Sequence, residues 1–273
     1  MQIGFIGTGS MGSLLIEAFI ASKAAHPAQI IAYNRTPAKV AELSHKHPGL
    51  IIAKDNLEVA RNAQLLFLCV KPFEYKQALS QFSQGLSSDH ILVTITSPVK
   101  LRELEELVPC QVIRAVPSIT NAALSGLTLL EYGARATPAS REIVLSLFAQ
   151  ISRPLEVEEK FLRIASDISS CGPAFLSYVL QQMIQAAVDE IGISEEAATF
   201  LTTQMVIGLA GLLEKEIFSL PTLQEKVCVP GGITGEGLIA LKNGIPGVFN
   251  EVFQRTHAKF AEDLHEMSQH LSE

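Results

Sequence analysis

The 273-residue sequence has no tryptophan, 6% aromatic residues and 18% charged residues, where an ordinary globular chain carries about 25% charge. With 48% hydrophobic residues, that shortage of charge excludes a disordered chain and predicts apolar surface beyond what one chain's own core hides. Self-association is therefore expected. The cysteines, at 69, 110, 171 and 228, form no CxxC pair, which excludes a zinc ribbon or a thioredoxin-type centre and fits reduced thiols in a cytoplasm. The net charge is −7 and there is no long basic run, so neither nucleic acid nor an anionic membrane is an expected partner. No lysine precedes Lys23 and no uninterrupted apolar run reaches the ~18 residues of a membrane span, so neither a signal peptide nor a spanning helix is expected.

At roughly 100 to 200 residues per domain, the length predicts two domains. The N-terminal part alternates element types. Gln2 to Ile6 reads as a strand, Ser10 to Ser22 as a helix and Gln29 to Tyr33 as a second strand. Leu65 to Val70, Ile91 to Ile95, Val112 to Val116 and Leu127 to Leu130 then follow as apolar strands. Strands apolar on both faces and separated by helices predict an α/β fold, a doubly wound Rossmann-type parallel sheet covered on both sides, over residues 1–157. Strand signals stop after Pro154 to Val157, and residues 158–273 read as an all-helical domain.

Leu176, Leu180, Met183, Ile184, Ala187, Val188 and Ile191 recur at helical spacing, a stripe read first as core packing and second as a subunit interface. Ser194 marks another helix start, and Met205 to Leu213 is apolar almost all round, so neighbours must bury it. Phe249, Phe253, Thr256, Phe260, Leu264, Met267 and Leu271 form one seam along the last helix.

Gly7, Thr8, Gly9, Ser10, Met11 and Gly12 form a GxGxxG turn between the first strand and the first helix. In that context the first glycine permits the tight turn, the second lets the backbone approach a pyrophosphate, and the third lets helix and strand pack closely. Dinucleotide binding is expected. An NAD site would carry an acid at the end of the second strand, yet His26 to Ala41 contains neither Asp nor Glu. Asn34, Arg35 and Thr36 stand there instead, with Lys39 beyond. This favours NADP(H), with NAD(H) the weaker candidate.

The reactive end should lie near the strand ends, at Val70–Lys71–Pro72, Thr96–Ser97–Pro98 and Arg114 to Asn121. None of the seven histidines falls in these turns, and no lysine occurs between Lys160 and Lys215, so no conventional general acid is at hand. Ketone reduction needs such a donor, whereas a protonated imine already carries its charge. Ser169–Ser170–Cys171–Gly172–Pro173 and Val229–Pro230–Gly231–Gly232–Ile233–Thr234 both read as helix starts whose amides can hold a carboxylate. Thr234 could cap its helix or donate to a substrate nitrogen.

These motifs together resemble the pyrroline-5-carboxylate reductase family, along nearly the whole chain. The resemblance is carried by Gly4 to Gly12, Asn34 to Pro37, Val70–Lys71–Pro72, Arg114 to Pro117, Cys171 to Phe175, Gln204, Gly208 and Pro230 to Thr234. It implies NAD(P)H-dependent reduction of a cyclic imino acid to proline, in a homodimer or higher homo-oligomer built from the helical domain. It further implies Gly231, Gly232 and Ile233 as carboxylate-binding residues, Val229 and Cys171 beside the substrate, and Thr234 beside the imine nitrogen.

The sequence departs from the family pattern at Val116 to Thr120 (Met-Pro-Asn-Thr-Pro in the family), at Ser170 and Cys171, and at Val229, where the family has serine. In the run Gly231 to Gly237 and around Cys171 and Cys228 it is similar to the divergent late competence (ComER) branch. Two readings therefore stand: an NADP-dependent imine reductase, and a catalytically weakened family member with a regulatory or interaction role. A β-hydroxyacid dehydrogenase would need a lysine after Gly172, which is absent.

Overall fold

The computed structural model describes residues 1–272. In chain order the regular elements begin with β1 (Ile3–Ile6), α1 (Ser10–Ala21), β2 (Ile30–Tyr33), α2 (Pro37–Lys46), β3 (Ile51–Ile52), α3 (Asn56–Asn62), β4 (Leu65–Leu68) and α4 (Tyr75–Phe82). They continue through β5 (Ile91–Thr94), α5 (Leu101–Leu107), β6 (Gln111–Val116), β7 (Leu127–Tyr132), α6 (Pro138–Phe148) and β8 (Arg153–Glu156). The helical part comprises α7 (Glu159–Ser166), α8 (Gly172–Ile191), α9 (Glu195–Glu214), α10 (Leu220–Val227), α11 (Ile233–Gly244) and α12 (Val248–Ser272).

The chain divides into two compact units: Met1–Pro173 with Arg255–Glu273, and Ala174–Gln254. By this division the later part of α12 belongs with the sheet, although its seam reads in the sequence as part of the helical domain. Met267 and Leu271 are buried in the hydrophobic cluster formed by Leu79, Phe82, Leu101 and Leu104. The Ser268 hydroxyl donates to Glu103 at 2.8 Å.

The first unit holds one eight-stranded sheet in the order β3-β2-β1-β4-β5-β6-β7-β8. Its central strands are apolar on both faces because both are covered. Ile3 and Phe5 of β1 point into one cluster with Phe19, Phe67 and Phe148, and Ile6 points into the other with Leu66, Leu68 and Leu92. Phe5 and Phe67 stack at 4.8 Å between ring centroids. Gly4 lies between these residues because a Cβ there would come within 2.7 Å of Val59 on α3.

One junction departs from a purely parallel sheet. β7 runs antiparallel to β6 and parallel to β8. The connection 117–126 between β6 and β7 is too short for the crossover that a parallel neighbour requires, so the chain turns straight back. Arg114 of β6 is buried and paired with Glu131 of β7 at 2.6 Å. Burial lowers the Arg114 pKa and raises that of Glu131, each opposed by the charge of the other. The pair locks the register of this one antiparallel junction.

Candidate active site

β1, β2 and β4 end at the same level, with Ile6 in register with both Tyr33 and Leu68. The strand order reverses direction on either side of β1, so its carboxyl end opens the crevice where doubly wound sheets bind ligands. Gly7 turns the chain there. Its φ of +94° is left-handed, and a Cβ would lie 3.0 Å from the Cys69 carbonyl. Gly12 is under tighter constraint, because a Cβ would stand 2.5 Å from the Gly7 carbonyl oxygen. At Gly9 a Cβ meets nothing within 4 Å. The space beside that backbone is open to a ligand.

Gly9 is the N-cap of α1, with no side-chain cap and no acidic residue in the first turn. The amides of Ser10, Met11 and Gly12 are thus at the positive end of the helix, free of a competing carboxylate. Ser10 borders a second recess with Thr8 and Gly9, whereas Met11 packs against the core. The Thr8 hydroxyl is buried without a hydrogen-bond partner among the described residues.

Beside the turn lies a cleft of about 340 Å³ lined by Gly7, Gly9, Asn34, Arg35, Thr36, Val70 and Lys71, among others. The Asn34 side-chain oxygen accepts from the Thr36 amide at 2.8 Å, which shapes the turn into α2. Pro72 opens the short helical turn Pro72–Glu74. Across the cleft, Glu74 Oε1 lies 3.0 Å from Arg35 Nη2. Asn56 and Gln81 also line this space; Asn56 donates to Gln81 at 2.7 Å, and its own Oδ1 is buried without a partner. Cys69 borders the cleft too, but burial pushes its thiol well above the ordinary range, so it is no nucleophile at neutral pH.

An uncapped helix start, a glycine cradle, two orphaned oxygens and basic residues beside the β2 end fit the pyrophosphate and the ribose phosphate of a dinucleotide. Asn56 and Gln81 carry no signal in the sequence, because each lies far along the chain from the glycine turn and on an element with no distinguishing motif; Glu74 follows the Val70–Lys71–Pro72 motif, but nothing in that motif points to Arg35.

The turn Ser169 to Pro173 is not a helix start. α7 runs into α8 through a π-helical segment, Asp167–Cys171, so that Cys171 and Gly172 lie within one continuous winding. This corrects the expectation that their amides are exposed at a helix N-terminus. The cause is Pro173, which has no N–H and whose ring crowds the preceding turn; the wider π turn accommodates it. Pro173 cannot satisfy the Ser169 carbonyl, and the Ser118 hydroxyl does so at 2.8 Å. In return Ser170 Oγ donates to the Pro117 carbonyl at 3.0 Å. The two serines that depart from the family pattern thus clasp the β6 loop to the π segment.

Ser118→Ala should therefore leave a carbonyl unpaired and cost about 1 to 3 kcal/mol. A calorimetric melting temperature unchanged from wild type would contradict that role. Cys171 itself accepts from Arg163 Nη2 at 3.4 Å. Arg163 also binds the fully buried Asp167 at 2.6 Å, whose other oxygen accepts from Thr256 at 2.8 Å.

In the second unit, Val229–Pro230–Gly231–Gly232 forms a β-turn closed by the Gly232 amide donating to the Val229 carbonyl at 3.0 Å. Pro at its second position and Gly231 at its third, with φ +72°, are what a type II turn demands. Gly232 then caps α11 without a side-chain hydrogen bond, and Ile233 and Thr234 occupy its first turn. Thr234 does not cap the helix, which settles one of its two expected roles and leaves its exposed hydroxyl available. A Cβ on Gly232 would stand 2.8 Å from Val229 Cγ2.

The apolar residues on the helices of this unit are largely uncovered. Of α8 to α11, Ala198 is the only residue buried. Leu176, Met183, Phe200 and Met205 are 54%, 47%, 64% and 46% exposed. The stripe on α8 is therefore not core, contrary to its first reading. α9 is long and apolar enough to cross a membrane by length and composition alone, with a mean hydropathy of 1.3 and 6% of that window buried.

Sheet order, glycine turn and cleft define a dinucleotide-binding oxidoreductase fold. Residues 2–98 match the family described as NADP oxidoreductase, coenzyme F420-dependent, and residues 159–263 match the family described as pyrroline-5-carboxylate reductase dimerisation. ComE operon protein 4 of Bacillus subtilis is 45% identical over 264 residues, 97% of each chain. Pyrroline-5-carboxylate reductase of Escherichia coli is 31% identical over 243 residues, 88% of this chain and 90% of that one. Among solved structures, Plasmodium falciparum pyrroline carboxylate reductase with NADP bound superposes with a TM-score of 0.82 at 24% identity, covering 98% of both chains. The chain belongs to the pyrroline-5-carboxylate reductase family.

Proposed function

We propose that the protein reduces a cyclic imino acid with NADPH, 1-pyrroline-5-carboxylate to proline being the best-supported reaction. The observation that carries this reading is the uncapped glycine turn at the sheet's switch point, with Arg35 on the adjoining cleft wall. NADP(H) is the cofactor, in keeping with the matched NADP oxidoreductase family and with the basic β2 turn. When bound, it supplies a hydride to the imine carbon. The amides of Ser10 to Gly12 hold the pyrophosphate, and Asn34, Arg35 and Thr36 hold the ribose phosphate. Val70 and Lys71 form the wall of the cleft on the β4 side, and Pro72 starts the turn that brings Glu74 to it.

The Gly231 and Ile233 amides at the start of α11 hold the substrate carboxylate without a cationic side chain, while the Gly232 amide, engaged by the Val229 carbonyl, keeps the turn that presents them rather than binding the carboxylate itself. Thr234 presents a hydroxyl to the imine nitrogen. The reaction calls for no general acid, consistent with the absence of histidine from the turns named above, because a protonated imine needs no further proton as the hydride arrives. The exposed apolar faces of α8 and α9 are the surface of a homodimer or larger homo-oligomer, in keeping with the matched dimerisation family, rather than a membrane or nucleic-acid surface. Labour divides near residue 157, cofactor binding before it and substrate binding and association after it. The cytoplasm is the compartment that suits its four free thiols.

Arg35→Ala should weaken NADPH by about 1 to 3 kcal/mol, the range of a hydrogen bond to a charged group, and leave NADH nearly unchanged. Equal losses for both cofactors in a calorimetric titration would count against phosphate recognition. Val229 lacks the hydroxyl that serine would place before Pro230. Val229→Ser should raise kcat/KM and Thr234→Ala should lower it, each by several-fold to about 100-fold, or about 0.5 to 3 kcal/mol of transition-state stabilisation. Val229 and the 45% identity to a ComE operon protein are what favour the second reading, a regulatory role with weakened catalysis. That reading takes over if the wild type consumes no NADPH and Val229→Ser recovers none.

A further inference from the structure

The acid missing from the β2 turn reaches the same place from the other side of the cleft. Glu74 follows Lys71 and Pro72 on the β4 side, and its carboxylate meets the Arg35 guanidinium at 3.0 Å. Arg35 is the only hydrogen-bond partner of that carboxylate among the described residues. Both side chains are accessible, at 34% for Glu74 and 78% for Arg35. The pair is thus held by each other alone and can be opened by a competing ligand.

We propose that Glu74 is a coenzyme-specificity residue that weakens the preference for NADPH over NADH. The proposal rests on the NADP-binding reading above and concerns the same cleft. A 2′-phosphate seeking Arg35 finds the guanidinium already neutralised, and must either displace the carboxylate or lie beside a like charge. A ribose diol carries no charge to repel, and a carboxylate is the group that accepts from its hydroxyls in NAD sites. Glu74 therefore acts oppositely on the two coenzymes. Lys39, which lines the same cleft and has no ion-pair partner among the described residues, keeps the site able to take a phosphate at all.

Glu74→Gln keeps the shape and removes the charge. Wild type and variant would each be titrated calorimetrically with NADPH and NADH, and with adenosine 2′,5′-bisphosphate and adenosine 5′-monophosphate as fragments. The variant should bind NADPH and the bisphosphate about three- to tenfold more tightly, with NADH and the monophosphate unchanged or slightly weaker. Raised salt should shrink the difference. A wild type that binds both dinucleotides, with an NADPH-to-NADH affinity ratio that the variant does not move, would overturn the role of Glu74 and leave the cofactor reading intact. A wild type that binds neither dinucleotide would overturn both.

Discussion

Gly12→Ala is expected to lose NADPH binding by about 100-fold or more, or about 2.8 kcal/mol. The added Cβ would stand 2.5 Å from the Gly7 carbonyl oxygen, which is backbone and cannot swing aside as a side chain would. Relief requires the turn and α1 to move apart, and the helix amides then no longer converge on the pyrophosphate. The same clash should lower stability by about 1 to 3 kcal/mol, as overpacking does. Gly9→Ala separates the two effects. With a φ of −75° and no atom within 4 Å of its Cβ, the free protein should melt as wild type does. NADPH binding should still fall, because the methyl group occupies space the ligand needs. If Gly9→Ala binds NADPH normally, the open side of that backbone is not the dinucleotide path.

Leu176→Glu together with Met183→Glu should convert an oligomer into monomers or into aggregating chains. The two residues lie two turns apart on one face of α8, each about half exposed in a single chain. In a two-fold interface every substitution counts twice. Losing about 1.5 to 3 kcal/mol per buried side chain, and more for each carboxylate left in an apolar contact, brings the total to the order of 10 kcal/mol. Light scattering at micromolar concentration should give the wild type at least twice the 29.5 kDa chain mass. A wild type at the monomer mass, or a double variant still associated as before, would contradict the assignment of this face.

The parts of this protein that could be read from its sequence are those governed by neighbours in the chain. The Gly7 to Gly12 turn is one, because strand, glycines and helix are contiguous. The alternation of both-face apolar strands is another, and it gives the doubly wound class. The start of α11 belongs with them, since the glycine-containing run Val229 to Thr234 reads as a helix start and the helix begins within it, at Ile233.

What escaped reading depends on distance. Glu74 meets Arg35 39 residues away, and no pattern in either segment announces the other. The π segment at Asp167–Cys171 arises from Pro173 together with a carbonyl satisfied by Ser118, 51 residues earlier. The sequence pattern alone reads the same stretch as a break between helices. The stripe on α8 has the spacing of a core helix, and amphipathic spacing does not say whether the covering surface comes from the same chain or another. Composition speaks to that question where spacing does not, because a chain with 18% charged residues has little with which to solvate so many apolar helices.

Hydride transfer from NADPH to a cyclic imine, the proposed reaction, is decided by following NADPH absorbance with racemic 1-pyrroline-5-carboxylate and the wild-type protein. Substrate-dependent NADPH consumption, with proline as the product and a rate that falls in Thr234→Ala, is the predicted result. Tight NADPH binding without consumption at saturating substrate, unrelieved by Val229→Ser, would contradict it.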